Sequence, residues 1–344
     1  MRKIIAIFLV LLLTFSLVSC GTRGKRRSSS KANKSDKIVI GAAFTGVDIG
    51  FWGSVWQGFE DKAKELDIEF IQVVADGDAD KQNNQIKDLI AQSVDAIAIA
   101  PADGFVVASA VKMAQAAGIP CVMVNRPLQS DEVVADMSVL SDNRAMAYEQ
   151  LTWLAEHARK EGVAYNILLF IGSLSDENAV QRREGHYQAI EENSDVLRLV
   201  VDVPTDWKTE LVLLGVQNSM RTYDNINCIV FPSDGQVIPI RSALEQISCW
   251  TEVGAPNHIT LCSFDGDSRI MEVYETNNIT CTAVQDAYGQ GARSLDYAVR
   301  LAKGEKFDDK VDLDYGIQLN YLNYHELKED MWGYIAYKSL QDPN

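Results

Sequence analysis

The sequence lacks the signatures of the common enzyme classes. It has no Gly-x-Ser-x-Gly nucleophile elbow, no His-Glu-x-x-His zinc motif and no phosphate-binding Gly-Lys-Ser/Thr loop, and its four histidines are scattered. Catalysis needs an activated group, and no residue spacing here proposes one. We therefore expect a protein that is not an enzyme and has no cofactor.

Basic residues are also scarce: 32 Lys and Arg stand against 48 Asp and Glu, which gives a formal net charge of -16. An acidic chain without basic stripes argues against nucleic acid as a partner. The acidic stretch Asp76-Gly77-Asp78-Ala79-Asp80 lacks the full ligand pattern of a calcium loop, and carboxylates at a helix start are stabilising without a metal. We therefore expect no metal site.

Cysteines are few and do not have the spacing of metal ligands. Apart from Cys20 there are five, an odd number, and four of them lie in or beside apolar strand-like segments. This placement favours inert buried thiols, with disulfides as the alternative. The five are Cys121, Cys228, Cys249, Cys262 and Cys281.

Long apolar runs are confined to the amino end. A basic start, an apolar run from Ile4 to Leu13 and a small-residue cleavage site predict a signal peptide over residues 1–19. Leu17-Val18-Ser19-Cys20-Gly21 resembles a bacterial lipobox, which implies lipid attachment at Cys20. Residues 20–37 are polar and basic and predict a flexible tether. The expected location is extracytoplasmic, anchored by lipid to the cell membrane on its periplasmic or cell-surface side.

From Lys37 onward, strand-like and helix-like segments alternate in two successive series. Such alternation predicts parallel sheets that are covered by helices on both faces. A chain of 344 residues is long enough for two α/β lobes, each with its own core.

Polar side chains follow three of the apolar strand segments at the point where each segment ends. Cys121 to Val124 leads into Asn125 and Arg126, and two later segments lead into Ser233-Asp234 and into Asp265. In open α/β sheets, ligands bind at the carboxyl ends of the parallel strands. We therefore expect these polar residues to contribute to one kind of site.

Seven pieces of the sequence together resemble type I periplasmic sugar-binding proteins, in particular the ribose and galactose group. They occur in the family's order, and the resemblance covers residues 37–325. The pieces are the lipobox, Gly50-Phe51-Trp52, Asn125-Arg126, Gln181-Arg182-Arg183-Glu184-Gly185, Pro232-Ser233-Asp234, Phe264-Asp265-Gly266 and Ala283-Val284-Gln285.

The resemblance implies two Rossmann-like lobes joined by a three-strand hinge, which close on a sugar. It places an N-terminal lobe at 38–139 plus 286–315 and a C-terminal lobe at 140–285 plus 316–344. The hinge crossings would lie near 139–141, 285–286 and 315–318. We expect a monomer that meets an ABC transporter permease.

Ten ligand-binding residues are predicted: Phe51, Trp52, Asn125, Arg126, Arg182, Trp207, Ser233, Asp234, Asp265 and Gln285. Aromatic rings stack on the C–H faces of a sugar, while planar amide, carboxylate and guanidinium groups bind its hydroxyls.

Several of the ten have an alternative structural role. Phe51 and Trp52 could belong to the core, and Trp207 could pack a helix. Arg182 could be a surface charge paired with Glu184. Asp265 could cap a helix, and Gln285 could serve as a hinge residue as well.

The expected ligand is a monosaccharide or related polyol. Ribose itself is not singled out, because Ala100 stands where the ribose type has an amide, Asn125 where it has Asp, and Ser233 where it has Asn. Other pentoses, hexoses and cyclic polyols therefore stay open. The alternative function is a sugar sensor that presents its closed state to a chemoreceptor or membrane sensor kinase. A transcription regulator is disfavoured, because a signal and tether stand where a DNA-binding motif would be needed.

Overall fold

A computed structural model describes residues 37–47 and 50–342. The predicted signal peptide, the lipid-attachment residue Cys20 and most of the predicted tether lie outside the described residues. Within the described part, no helix is both long and apolar enough to cross a membrane.

The described residues form twelve strands. In chain order they are β1 Val39–Phe44, β2 Glu69–Val74, β3 Ala96–Ala100, β4 Cys121–Asn125, β5 Met137–Ser141, β6 Tyr165–Ile171, β7 Leu197–Pro204, β8 Cys228–Val230, β9 Thr260–Asp265, β10 Cys281–Val284, β11 Val311–Asp314 and β12 Ile317–Asn320.

Nine of the helices of the described residues lie in connections between these strands, and the last two follow β12. They are α1 Phe51–Leu66, α2 Ala79–Ala91, α3 Ala108–Ala116, α4 Asn143–Glu161, α5 Glu177–Glu192, α6 Thr209–Thr222, α7 Val237–Gln246, α8 Ser268–Glu275, α9 Ala287–Ala302, α10 Tyr324–Leu327 and α11 Trp332–Gln341.

The strands assemble into two six-stranded sheets, as the predicted α/β fold requires. The first sheet has the order β11-β5-β4-β3-β1-β2 and is parallel throughout. The second has the order β12-β10-β9-β8-β6-β7, and only β12 runs antiparallel to its neighbour. We call the parts built on these sheets the first and the second lobe.

The chain passes between the lobes three times. The first passage follows Ser141, the last residue of β5, and the next helix, α4, packs against the second sheet. The chain returns after Val284 through Gln285 and Asp286, since α9 packs against the first sheet. The last passage lies at Tyr315 and Gly316, between β11 and β12. We call these passages the first, second and third crossing.

Helix α1 begins with Phe51 and Trp52, and close contact with α9 fixes its position. Its buried face includes Val55 and Phe59, which join the apolar cluster of the first sheet. A Cβ on Gly58 would collide with the Tyr288 carbonyl of α9, and one on Gly291 would collide with the Val55 carbonyl. The two glycines therefore allow the helix backbones to approach closely.

Two further expectations can be compared with the structure. The acidic stretch at residues 76–80 includes the start of α2, where the Asp78 carboxylate accepts a hydrogen bond from the Lys81 amide at 2.9 Å. The five cysteines beyond Cys20 are free thiols; all are buried except Cys249, which is partly exposed. Helix α6 begins only at Thr209, because Asp206 and Trp207 before it both have positive φ and lie outside the helical region.

Candidate functional site

A cavity of about 240 Å³ lies between the lobes, at the carboxyl ends of strands from both sheets. Nine of the ten residues predicted to bind ligand line it, and Asp234 does not. The lining residues are Phe51, Trp52, Asn125, Arg126, Asp176, Asn178, Arg182, Trp207, Ser233, Asp265, Arg269 and Gln285.

Two aromatic side chains at the start of α1 form part of the first-lobe wall. The ring of Phe51 meets that of Trp52 edge to face, with centroids 5.4 Å apart. Phe51 also belongs to the apolar core of its lobe, which is one of the two roles that the sequence left open. The guanidinium of Arg126 lies 5.4 Å from the Trp52 ring centroid, which fixes the indole from one side.

Asn125 ends β4 in the left-handed region, with φ 62°, a conformation that Asn tolerates better than most residues. Its Nδ2 donates to the Oε1 atoms of Gln285 and Gln290, both at 3.0 Å. Its Oδ1 accepts from Asn178 Nδ2 of the second lobe at 2.9 Å. Both amide protons are thus used within the protein, and only acceptor capacity is left for a ligand.

Arg126 connects the two lobes directly. Its Nη1 donates to the carbonyl of Pro101 at 3.1 Å, next to the position where the ribose type has an amide. Its Nη2 lies 2.8 Å from Oδ2 of Asp176, across the cleft. A second bond crosses nearby, from Gln129 Nε2 to Glu177 Oε2 at 3.2 Å. With these direct contacts between its walls, the cleft is closed.

Arg182 is buried in the second lobe and is not a surface charge. Its Nε donates to Asn143 Oδ1 at 2.7 Å, and its Nη1 donates to the Pro232 carbonyl and to Asp265 Oδ1, the latter at 3.2 Å. The guanidinium carbon lies 3.8 Å from the centroid of the Phe264 ring. Burial lowers the pKa of Arg182, and the neighbouring Asp265 carboxylate opposes this shift.

The carboxylate of Asp265 accepts hydrogen bonds from three side chains. Its Oδ1 accepts from Arg182 and from Gln285 Nε2 at 2.8 Å, while Oδ2 accepts from Ser233 Oγ at 2.7 Å. Burial raises the pKa of Asp265, against the lowering by Arg182. Its φ of 111° is unusual for a residue other than glycine. Asp265 does not cap the next helix, because that position belongs to Asp267.

Trp207 forms another aromatic part of the wall, from the loop before α6. Its ring covers the backbone at Gly172, where any Cβ would collide with the indole. The positive φ of 62° turns this side chain out of the helical path. Its buried Nε1 has no hydrogen-bond partner among the described residues.

Asp234 is fully buried behind the cavity wall. Its Oδ2 accepts from the backbone amides of Gly266 and Asp267, at 2.5 and 2.7 Å, and so holds the loop that follows Asp265. Burial, followed by the nearby carboxylates of Asp267 and Asp265, raises the pKa of Asp234 well above its usual range.

Three lining residues were not predicted from the sequence: Asp176, Asn178 and Arg269. Asp176 caps α5 by accepting from the Asn178 amide at 3.0 Å, so a cap before that helix was the available signal. Arg269 lies in the first turn of α8 and reaches across to Gly50, where a Cβ would collide with its guanidinium.

The charges of the cavity balance. Its three arginines each have one carboxylate partner: Arg126 pairs with Asp176, Arg182 with Asp265, and Arg269 with Asp267. Among the described residues that line the cavity, no guanidinium is left to neutralise an anionic ligand. The site therefore suits an uncharged molecule that is rich in hydrogen-bonding groups.

Comparisons with known proteins agree on one kind of protein. Residues 40–306 match the family described as periplasmic binding protein domain. The ribose import binding protein RbsB of Bacillus subtilis is 25% identical over 318 residues, which cover 90% of this chain and 97% of that protein. A putative rhizopine-binding protein of Rhizobium meliloti is 25% identical over 281 residues, 80% of this chain and 88% of its own.

The solved structures include a similar ABC transporter solute-binding protein from Bacillus halodurans, which was crystallised with bound myo-inositol. It is 26% identical, has a TM-score of 0.75, and is matched over 86% of this chain and 98% of its own.

Proposed function

Because this chain belongs to the periplasmic binding protein domain family, we propose that it is an extracytoplasmic binding protein that delivers a monosaccharide or related polyol to an ABC transporter. The observation that carries the proposal is the closed, charge-balanced cavity between two lobes, with aromatic rings on its walls. The chain is a binding protein and not an enzyme, in keeping with its relatives.

The size of the cavity supports a small ligand. Pockets for drug-sized molecules span roughly 300–1,000 Å³, whereas this one measures about 240 Å³. Trp52 and Trp207 offer flat apolar surfaces, while Arg182 and Ser233 offer polar groups at fixed positions. A sugar or cyclic polyol matches both, because its hydroxyls donate and accept and its C–H faces are weakly apolar.

The ten predicted residues have different proposed roles. Nine of them would contact the ligand, together with Asp176, Asn178 and Arg269, because all of these line the cavity. Asp234 would act through the loop that it holds.

Two ligand classes come first for testing. The B. subtilis relative is named for ribose, and the B. halodurans structure holds myo-inositol. The residues of the site leave both classes open, since Asn125 and Ser233 bind other side chains here and do not reproduce the ribose-type set.

We further propose the finer features that the sequence predicts. Cys20 would carry a lipid that holds the protein at the outer side of the cell membrane, through a tether that ends at residue 37, and the protein would act as a monomer. The lobes would comprise 38–139 plus 286–315 and 140–285 plus 316–344, a division supported by the strand membership of the two sheets. Replacing Cys20 by Ser should move the protein from the membrane fraction to the soluble extracytoplasmic fraction; continued membrane retention would exclude the anchor.

The main test is calorimetric titration of the purified protein with pentoses, hexoses and cyclic polyols, after a thermal-shift screen of the same panel. We expect one or two tight ligands. Arg126→Gln should weaken binding, whereas Arg159→Gln should not, because Arg159 is an exposed arginine paired with Asp195 far from the cavity. Failure of every sugar and polyol to bind would exclude the function.

A further inference from the structure

One carboxylate touches all three crossings between the lobes. It belongs to Asp314, the last residue of β11. Its Oδ2 accepts from Ser141 Oγ at 3.2 Å, at the first crossing, and from the Asp286 amide at 2.8 Å, at the second. Its Oδ1 accepts from the Gly316 amide at 2.9 Å, at the third. The Asp314 carbonyl also accepts from the amide of Asp142 at 2.8 Å.

A buried glutamine links this junction to the ligand cavity. Gln290, on α9, is fully buried and does not line the cavity. Its Nε2 donates to Ser141 Oγ at 2.7 Å and to Asp314 Oδ2 at 3.4 Å. Its Oε1 accepts from Asn125 Nδ2 at 3.0 Å. One amide therefore contacts both the crossings and a cavity side chain.

The link continues through the cavity to the second lobe. The other proton of Asn125 Nδ2 goes to Gln285, which lies on the second crossing and itself donates to Asp265. Asn178 donates to Asn125 from the opposite wall. The orientation of Asn125 thus depends on three groups whose relative positions change when the lobes move against each other.

We propose that Asp314 and Gln290 are positioning residues that couple ligand binding to lobe closure. Asp314 holds the three crossings in the arrangement of the closed state, and Gln290 sets the Asn125 amide in register with them. Hinge motion is absorbed by a few residues at element ends, so bonds made at those residues bias the equilibrium between open and closed states. The inference rests on the proposed function, in which closure accompanies ligand binding.

The coupling has a measurable consequence. When only a fraction of the molecules is competent to bind, the apparent affinity falls by that fraction. A variant that weakens the junction should therefore bind ligand less tightly without losing a ligand contact. A residue that merely stabilises the fold should lower stability alone.

The test compares two buried glutamines. Gln290→Met removes the link between the crossings and Asn125 at similar volume. Gln150→Met is the matched control, because Gln150 is equally buried and bonds to the Ser263 carbonyl and His186, neither of which lines the cavity or lies on a crossing. Asp314→Asn is the conservative change at the junction. Affinity is measured by calorimetry, stability by urea unfolding, and lobe separation by small-angle X-ray scattering.

We expect Gln290→Met to bind the best sugar of the panel about tenfold more weakly, the size expected for one lost hydrogen-bonding group, and Asp314→Asn to be weakened in the same direction. Both should increase the radius of gyration of the unliganded protein relative to Gln150→Met, which should keep the affinity of the unmodified protein. Unchanged affinity in Gln290→Met, or an equal loss in Gln150→Met, overturns the proposal.

Failure of the proposed function would look different. In that case the unmodified protein binds no sugar or polyol, and scattering of the unliganded variants decides the inference. A larger radius of gyration in Gln290→Met than in Gln150→Met supports it, and equal radii overturn it.

Discussion

Replacing Asp265 by Asn tests whether the site is stabilised by its central ion pair. The substitution keeps the shape of the side chain but removes the charge that faces Arg182, whose exposed fraction is only 4%. Asn also places an amide donor where Asp265 receives bonds from Gln285 or Ser233, so one donor meets another. Removing one partner of a buried ion pair costs about 3–5 kcal/mol.

We therefore expect Asp265→Asn to lower the free energy of unfolding by about 3–5 kcal/mol and to weaken ligand binding by about 2–3 kcal/mol, roughly 30- to 150-fold. Urea unfolding followed by circular dichroism and by tryptophan fluorescence measures the first effect and shows whether both lobes unfold together. Calorimetry measures the second.

The matched control is Asp195→Asn, which removes the partner of Arg159 from an exposed pair. This change should have a much smaller effect on stability and none on ligand affinity, because water replaces the lost contact. If Asp265→Asn is no more destabilising than Asp195→Asn, the buried pair of Arg182 and Asp265 does not stabilise the protein as proposed.

Three further predictions concern other parts of the second lobe and the cleft. Asp176→Asn should weaken ligand binding about tenfold, because it removes the charge that holds Arg126 across the closed cleft. An affinity that is unchanged when measured by calorimetry would contradict this. Burial and the charge of Arg182 lower the pKa of His186 to about 3. The neutral, buried imidazole stabilises the fold fully above the unfolded pKa of about 6.5. This stabilisation falls by about 1.4 kcal/mol per pH unit as the pH decreases toward the folded-state pKa of about 3. His186→Gln should therefore make unfolding less dependent on pH in acid, and identical acid unfolding curves for the variant and the unmodified protein would refute this. A thiol reagent should modify Cys249 in the folded protein and the buried cysteines only after unfolding, as mass spectrometry of the labelled peptides would show.

The sheets and the edge that carries the site could be predicted because buried parallel strands leave a strong pattern in the sequence. Asn125 and Asp265 do end strands, as predicted. At Trp207 the sequence pattern does not indicate the backbone conformation. A polar pair before an apolar period predicts a helix start, but two successive residues with positive φ delay it.

Ser233 and Asp234 show a second limit. Successive residues of an extended chain point to opposite sides, so two adjacent polar residues at a strand end seldom share one cavity. Ser233 is extended and lines the cavity, while Asp234 starts a 3-10 turn and points to the loop at Gly266. Asn125 and Arg126 both line the cavity because the left-handed conformation of Asn125 breaks this alternation. A sequence pattern does not encode that turn.

Asp176, Asn178 and Arg269 were not predicted for another reason. Their place in the cavity wall depends on how the two lobes face each other, and no local sequence pattern indicates that.

The hydrogen bonds within the cavity also bear on ligand selectivity. Asn125 and Asp265 are already bonded to protein groups in this closed site, so a ligand meets chiefly the groups that are left over. Among the described residues, the indole Nε1 of Trp207 is a buried donor without a partner. A ligand gains most by presenting an acceptor to this donor, and hydroxyl groups can do so while also donating to the free lone pairs of Asn125 and Asp265. Selectivity among sugars and polyols would then follow from which hydroxyl positions reach these groups.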